Sequence, residues 1–250
     1  MTRPAGLRAL VVIALLVVLE ILCRTGVIPA FTFPAPSTIL KGMFELLASG
    51  RYTNDILVTL RNVGVSILAS MAIGVAVATV LHEAPAARRV LDPLFATYYA
   101  IPVYAFYPLL IVIFGLGDLP QVAIGFMLGV VAVIINTLNG LDRVPRVLVK
   151  TARVHRLNAW ERALRIRLPF AAPYIFTGFK LAVAYSFVGV IGAEFITSSR
   201  GIGYEIAFAY NNFDNAVMYP LIFLVLIAVT IVNMSLHAWE RHLASRRERA

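Results

Sequence analysis

An all-α membrane protein, a single domain over residues 1–250 with six helices crossing the bilayer, is the fold class this sequence predicts. Three observations predict it. Of the 250 residues, 60% are hydrophobic and only 14% charged, with a mean hydropathy of +0.84, whereas soluble domains carry about 25% charged residues. The apolar residues gather into runs long enough to cross about 30 Å of hydrocarbon, for which about 20 helical residues suffice. The basic residues concentrate on alternate connections between these runs, as expected where positive segments stay on the cytoplasmic side.

The runs follow in order. The first, 7–23, has Arg3 and Arg8 at its start, ahead of an apolar run from Ala9 to Leu19. It has the outline of a signal peptide but no clear small-x-small cleavage site, so it reads as a membrane helix. A polar segment, Arg24–Asp55, containing "FPAPST", leads to the second span, 56–81, and His82–Arg89 to the third, 91–114. Pro102 and Pro108 interrupt the third, and each removes a backbone donor and favours a kink. The tight "GLGDLP" at 115–120 leads to the fourth span, 120–141. The long segment Asp142–Ala171 precedes the fifth, 172–196, and Thr197–Asn215 precedes the sixth, 216–238.

With both termini cytoplasmic, sixteen of the 22 Lys and Arg residues lie inside. Arg24, Lys41, Arg51 and Arg200 lie outside, and Arg61 and Lys180 within spans. That asymmetry orients the chain and accounts for the net charge of +9 without nucleic acid as a partner. The single cysteine, Cys23, excludes an internal disulfide and a cysteine metal cage.

Lys150 to Arg167 is the densest basic stretch, holding Lys150, Arg153, Arg156, Arg162, Arg165 and Arg167 against one acid, Glu161. Its helix formers predict helix, turn, helix, ending before Pro169, with Asn158 as N-cap and Glu161 three residues on as a capping box. An exposed hairpin of this kind either docks another protein or only fixes topology and touches lipid headgroups.

The segment resembles the cytoplasmic signature of importer permeases of the ABC transporter superfamily: Glu-Ala-Ala, three residues, Gly, nine residues, Ile-x-Leu-Pro. Aligned on Ile166-Arg167-Leu168-Pro169, Lys150-Thr151-Ala152 stands at Glu-Ala-Ala and Arg156 at the glycine. Further likenesses are "FPAPSTIL" (33–40), "TLRNV" (59–63), "LDPLFATYYAIPVYAFYPLLIVIFGLG" (91–117) and "GAEFITSSRGIGYEI" (192–206). Together they cover about residues 30–235 and point to the branch of sulfonate, taurine and nitrate importers, with relatives for thiamine-precursor or flavin-like compounds. Two positions depart from the signature. Lys150 inverts a charge, and Arg156 costs about 1–2 kcal/mol if that residue is left-handed.

The resemblance implies a pore-forming subunit that docks two copies of an ATPase through Lys150, Thr151, Ala152, Arg153, Arg156, Leu157, Asn158, Ala159 and Trp160. It also implies pairing with a second copy of this chain, a periplasmic or lipid-anchored substrate-binding protein, and residence among lipids of the bacterial inner membrane. ATP and Mg are expected on the ATPase and no cofactor on this chain. Consistently, Lys41, Lys150 and Lys180 are the only lysines, and none sits in a phosphate-cradling Gly-x-x-x-x-Gly-Lys-Ser/Thr loop.

Ionisable residues inside a membrane are functional candidates by default. Glu194 matches the family's acid and either lines or gates a pathway or bonds to the "SSRGIGY" turn. Arg61 and Lys180 either snorkel to the surface or face a pore. Tyr104 and Tyr107 either line a pathway or belong to an interfacial belt. Asn136 and Asn139 are expected to bridge helices. A self-sufficient secondary transporter or channel is the competing reading, but the sequence has no repeated halves and, apart from Glu20 and Asp92 near span ends, Glu194 is its one acid within a span.

Overall fold

A computed structural model describes residues 3–247, and every secondary-structure element among them is helical. The side chains of Arg3, Arg8, Arg153, Arg246 and Arg247, and residue Arg249 altogether, lie outside the described residues. In chain order the helices are α1 (Arg3–Arg24), α2 (Pro36–Ser49), α3 (Thr53–Glu83), α4 (Pro85–Thr97), α5 (Tyr107–Phe114), α6 (Asp118–Asp142), α7 (Arg146–Val154), α8 (Ala159–Arg162), α9 (Leu168–Thr197), α10 (Ile202–Asn211) and α11 (Asn215–Arg247).

Four helical stretches among the described residues are long and apolar enough to cross a membrane: Thr53–Glu83, Asp118–Asp142, Ala159–Thr197 and Asn215–Arg241. They contain the second, fourth, fifth and sixth expected spans. α1 contains the first, 7–23.

The third expected span, 91–114, is not one continuous helix. Pro85–Ala100 and Val103–Phe114 meet at 92°. The elbow falls at Pro102, which has no N–H to continue the ladder, and Ile101 before it is extended (φ −80°, ψ 126°), as the residue preceding a proline prefers. Pro108 breaks nothing, because it stands in the first turn of α5, where a helix needs no donor. α2 and α10 were not expected. They are short helices inside segments that read as connectors.

The centre of the molecule is a sheaf of α3, α6 and α9. α3 presents Thr59, Asn62, Ser66, Ser70 and Gly74 along one buried face, at the three- and four-residue steps that align side chains on a helix. α6 and α9 meet where Gly125 faces Gly189: a methyl on Gly189 would lie 2.7 Å from the Gly125 Cα. Membrane helices gain no hydrophobic drive from burying apolar surface against each other rather than lipid, so close backbone approach through small residues is what holds them. Ser66 donates to Val122 O at 3.0 Å and Ser70 to Phe126 O at 3.3 Å, stitching α3 to α6. Asn136 does not bridge helices: it donates to Ala132 O one turn back in α6, and Asn139 is exposed.

The second helix of the basic hairpin does not stop before Pro169. α8 passes through a π-turn, Ala163–Arg167, directly into α9, so Ala159–Thr197 is one 39-residue helix. The Leu168 N–H bonds to Ala163 O, five residues back. A widened turn of this type is one way to pass a proline whose missing N–H leaves a carbonyl unpaired.

Candidate functional site

Two clusters of functional side chains lie at opposite ends of the sheaf, with the bent span between them. The first is the hairpin of α7 and α8. α7 ends in a Schellman arrangement: the Leu157 N–H bonds to Ala152 O at 3.1 Å, and Arg156 stands at the left-handed C′ position with φ 54°, where glycine is usual. This explains physically why the resemblance places a glycine there. α8 begins with the full capping box: the Glu161 N–H donates to Asn158 Oδ1 at 2.8 Å and the Asn158 N–H to Glu161 Oε2 at 2.9 Å.

Both ends of the turn are therefore fixed by hydrogen bonds. Ala152 is buried beneath the hairpin, while Lys150, Thr151, Arg156, Asn158 and Ala159 are exposed and Leu157 is half-buried. Trp160 is 65% exposed and Val154 79%. Together these residues present a mixed basic and apolar surface. The side chain of Arg153 lies outside the described residues.

Below the hairpin, ion pairs tie the helix ends together. Arg167 at the head of α9 pairs with Glu83 at the end of α3. Arg88 of α4 donates to both oxygens of Asp142 at the end of α6, at 2.6 and 2.7 Å. His82 Nδ1 lies 3.3 Å from the same carboxylate.

At the far end Glu194 is completely buried. Its carboxylate accepts from Thr59 Oγ1 at 2.8 Å and from the Gly203 N–H at 3.0 Å. Thr59 Oγ1 in turn accepts from the Ile202 N–H, and the Gly201 N–H donates to Asp55. The start of α10 is thereby laid on α3, and the turn fits closely enough that a methyl on Gly201 would lie 2.4 Å from the Glu194 carboxyl carbon. Beside it, Asn62 donates to Gln121 and Gln121 to Ser198 at 2.9 and 2.7 Å. Arg61 and Arg200 share the carboxylate of Asp118. On the edge of this cluster a pocket of about 420 Å³ opens between Arg61, Asn62 and Val65 of α3 and Phe114–Val122.

The tyrosines of the bent span fasten it to α9. Tyr104 donates to Val188 O at 2.6 Å and Tyr107 to Thr197 O at 3.4 Å. Tyr99 stacks on Tyr185 at 5.4 Å. Tyr107 is buried and Tyr104 partly so. Lys180 pairs with Glu240 of α11 at 2.7 Å.

The sequence-predicted residues thus divide: the hairpin set lies at one end, Glu194 at the other, and Tyr104 and Tyr107 against α9 between them. Thr59, Gln121, Asp118, Glu83, Arg88 and Asp142 were missed. A signal for the first of these was present, since Asp55, Thr59, Asn62, Ser66 and Ser70 form a polar stripe through an apolar run.

Residues 70–249 match the family described as binding-protein-dependent transport system inner membrane component. The nitrate import permease protein NrtB of Leptolyngbya laminosa is 30% identical over 192 residues, 77% of this chain and 67% of its own. The riboflavin transport system permease protein RibX of Chloroflexus aurantiacus is 28% identical over 209 residues, 84% and 76% of the two chains. A solved structure, the MetNI methionine ABC transporter in inward-facing conformations, holds a chain of the same fold, with a TM-score of 0.64 and 18% identity, over 76% of this chain and 95% of that one.

Proposed function

The chain belongs to the binding-protein-dependent transport system inner membrane component family, the permeases of ABC transporters, and from that premise we propose that it is the pore-forming subunit of an ATP-driven importer. In this reading six spans cross the inner membrane, with the bent pair as the third and α1 as the first. The hairpin and both termini face the cytoplasm, a placement that the distribution of Lys and Arg supports.

Two copies of the chain enclose one pathway. Two ATPase subunits, carrying the ATP and Mg, take the hairpins, and a substrate-binding protein delivers a small solute to the outer face. Relatives named for nitrate import and riboflavin transport support a cargo of the nitrate-like or flavin-like kind.

The hairpin carries the proposal. A connection that only fixed topology would need charge alone, whereas this one is capped at both sides of its turn. It also exposes Trp160 and Val154 among its basic residues and continues without a break into a membrane helix. Capped ends and an aromatic anchor suit docking, and continuity lets displacement of the docked tip move α9.

Co-purification of the ATPase and ATP hydrolysis in proteoliposomes test this. Charge reversal by Arg156→Glu is expected to weaken assembly by about 3–5 kcal/mol if the guanidinium is buried against an acid of the partner, and by about 0–1 kcal/mol at an exposed rim. Unchanged assembly and hydrolysis in Arg156→Glu combined with Lys150→Glu, in a normally inserted protein, would reduce the hairpin to a topology signal.

A further inference from the structure

We infer that Glu83 and Arg167 form the joint through which movement of the hairpin reaches the base of the bent span, an inference that rests on the docking proposed above. The hairpin is continuous with α9 through the π-turn, so its movement reaches α9 through the helix itself. The bent span also touches α9 directly, through Tyr99, Tyr104 and Tyr107, but its base joins the foot of the hairpin through α3, which ends at Glu83 and is followed by α4 after Ala84. Among the described residues, Arg167–Glu83 is the only ion pair joining α9 to α3. The Arg167 side chain is 13% exposed and that of Glu83 36%, so the pair is partly shielded from the screening that weakens surface pairs.

Next to Glu83, His82 lies against Asp142, whose two oxygens are held by Arg88 on the first turns of α4. α4 is the first arm of the 92° elbow. The geometry thus makes a chain of polar contacts from the foot of the hairpin, across the ends of α3 and α6, to the base of the bent span. It contributes no group to ATP hydrolysis, and Arg167 and Glu83 act as positioning residues. Spatial adjacency alone does not establish coupling between sites; a double-substitution cycle does.

The experiment uses the chain with its ATPase in proteoliposomes, with Cys23→Ser and a single cysteine at the elbow in place of Ile101, which is 44% exposed. The probe is ATP with vanadate, and the readout is the rate of thiol labelling at the elbow with and without it. Nucleotide is expected to change that rate in the parent. Arg167→Gln and Glu83→Gln should each shrink the change about tenfold while ATPase association and hydrolysis persist. The swap Glu83→Arg with Arg167→Glu should restore most of it.

A purely structural role would lower protein yield or hydrolysis and would not be rescued by the swap. Persistence of the full nucleotide-dependent change in both single variants overturns the joint but leaves the docking reading intact. Failure of the parent chain to retain its ATPase overturns that reading and the joint with it.

Discussion

Two glycines test whether the sheaf is held by close backbone approach. Gly64 and Gly189 both lie inside long helices, α3 and α9, so alanine at either gives the same gain in helix propensity, about 0.5–1 kcal/mol. Their surroundings differ. A methyl at Gly64 meets nothing within 4 Å, whereas at Gly189 it would lie 2.7 Å from Gly125 Cα, 2.9 Å from Gly125 N and 3.2 Å from Ile124 C.

Those neighbours are backbone atoms with no rotamer to escape into, so α6 and α9 must separate along their most intimate contact. Overpacking of this kind costs about 1–3 kcal/mol. Since the helix term cancels between the two variants, that cost is the expected difference between them. At about 2–4 °C per kcal/mol for a chain of 150–250 residues, Gly189→Ala should unfold roughly 2–12 °C below Gly64→Ala.

Gly125→Ala should fall between them. Its methyl would meet Ser66 Oγ at 2.7 Å and Val190 Cγ2 at 2.9 Å, side-chain atoms that can shift. The assay is the thermal midpoint of purified protein in one detergent at one scan rate, since unfolding of such proteins is commonly irreversible. Equal midpoints for Gly64→Ala and Gly189→Ala would refute the claim that small residues set the α6–α9 spacing.

Three further outcomes are expected. Glu194→Ala leaves the Thr59 hydroxyl and the Gly203 N–H without their acceptor, at about 1–3 kcal/mol for each unsatisfied group, and Glu194→Gln, which keeps one acceptor oxygen, should lose less in the same thermal assay. Asn158→Ala removes half of the capping box, costs about 1 kcal/mol, and should speed tryptic cleavage between Arg146 and Arg167 while the membrane core stays intact. Glu205, outside the spans in α10, is held above its ordinary value by burial, with Asp55 adding to the rise. Its neutral form therefore stabilises the fold below the unfolded pKa, and that contribution is lost as the pH rises through the folded one. Glu205→Gln should raise the thermal midpoint at pH 7 and leave it unchanged at pH 4.

Four of the expected spans were legible because hydrocarbon admits only one cheap solution for a backbone, and an apolar run of the right length declares it. The hairpin turn was legible for a local reason: Asn158 and Glu161 are three residues apart, and the capping box they form needs nothing from elsewhere in the chain. The elbow was half legible. A proline announces a lost donor, but whether the helix bends slightly or turns by 92° depends on what receives the freed groups, and here Tyr104 and Tyr107 carry the second arm onto carbonyls of α9 some 84 and 90 residues away.

Glu194 shows the same limit more sharply. Its burial could be inferred from its place in a span, yet its partners Thr59 and Gly203 become visible only when α3, α9 and α10 are brought together. What marks such a site in advance is pattern on both sides of the contact: a polar stripe on α3 every three or four residues, and glycines at 201 and 203 where the opposing turn must come within van der Waals reach of a carboxylate. Neither side alone names the other. A lone acid in an apolar run therefore directs attention to the nearest polar stripe on another helix as its first structural partner, before any pathway is assigned to it.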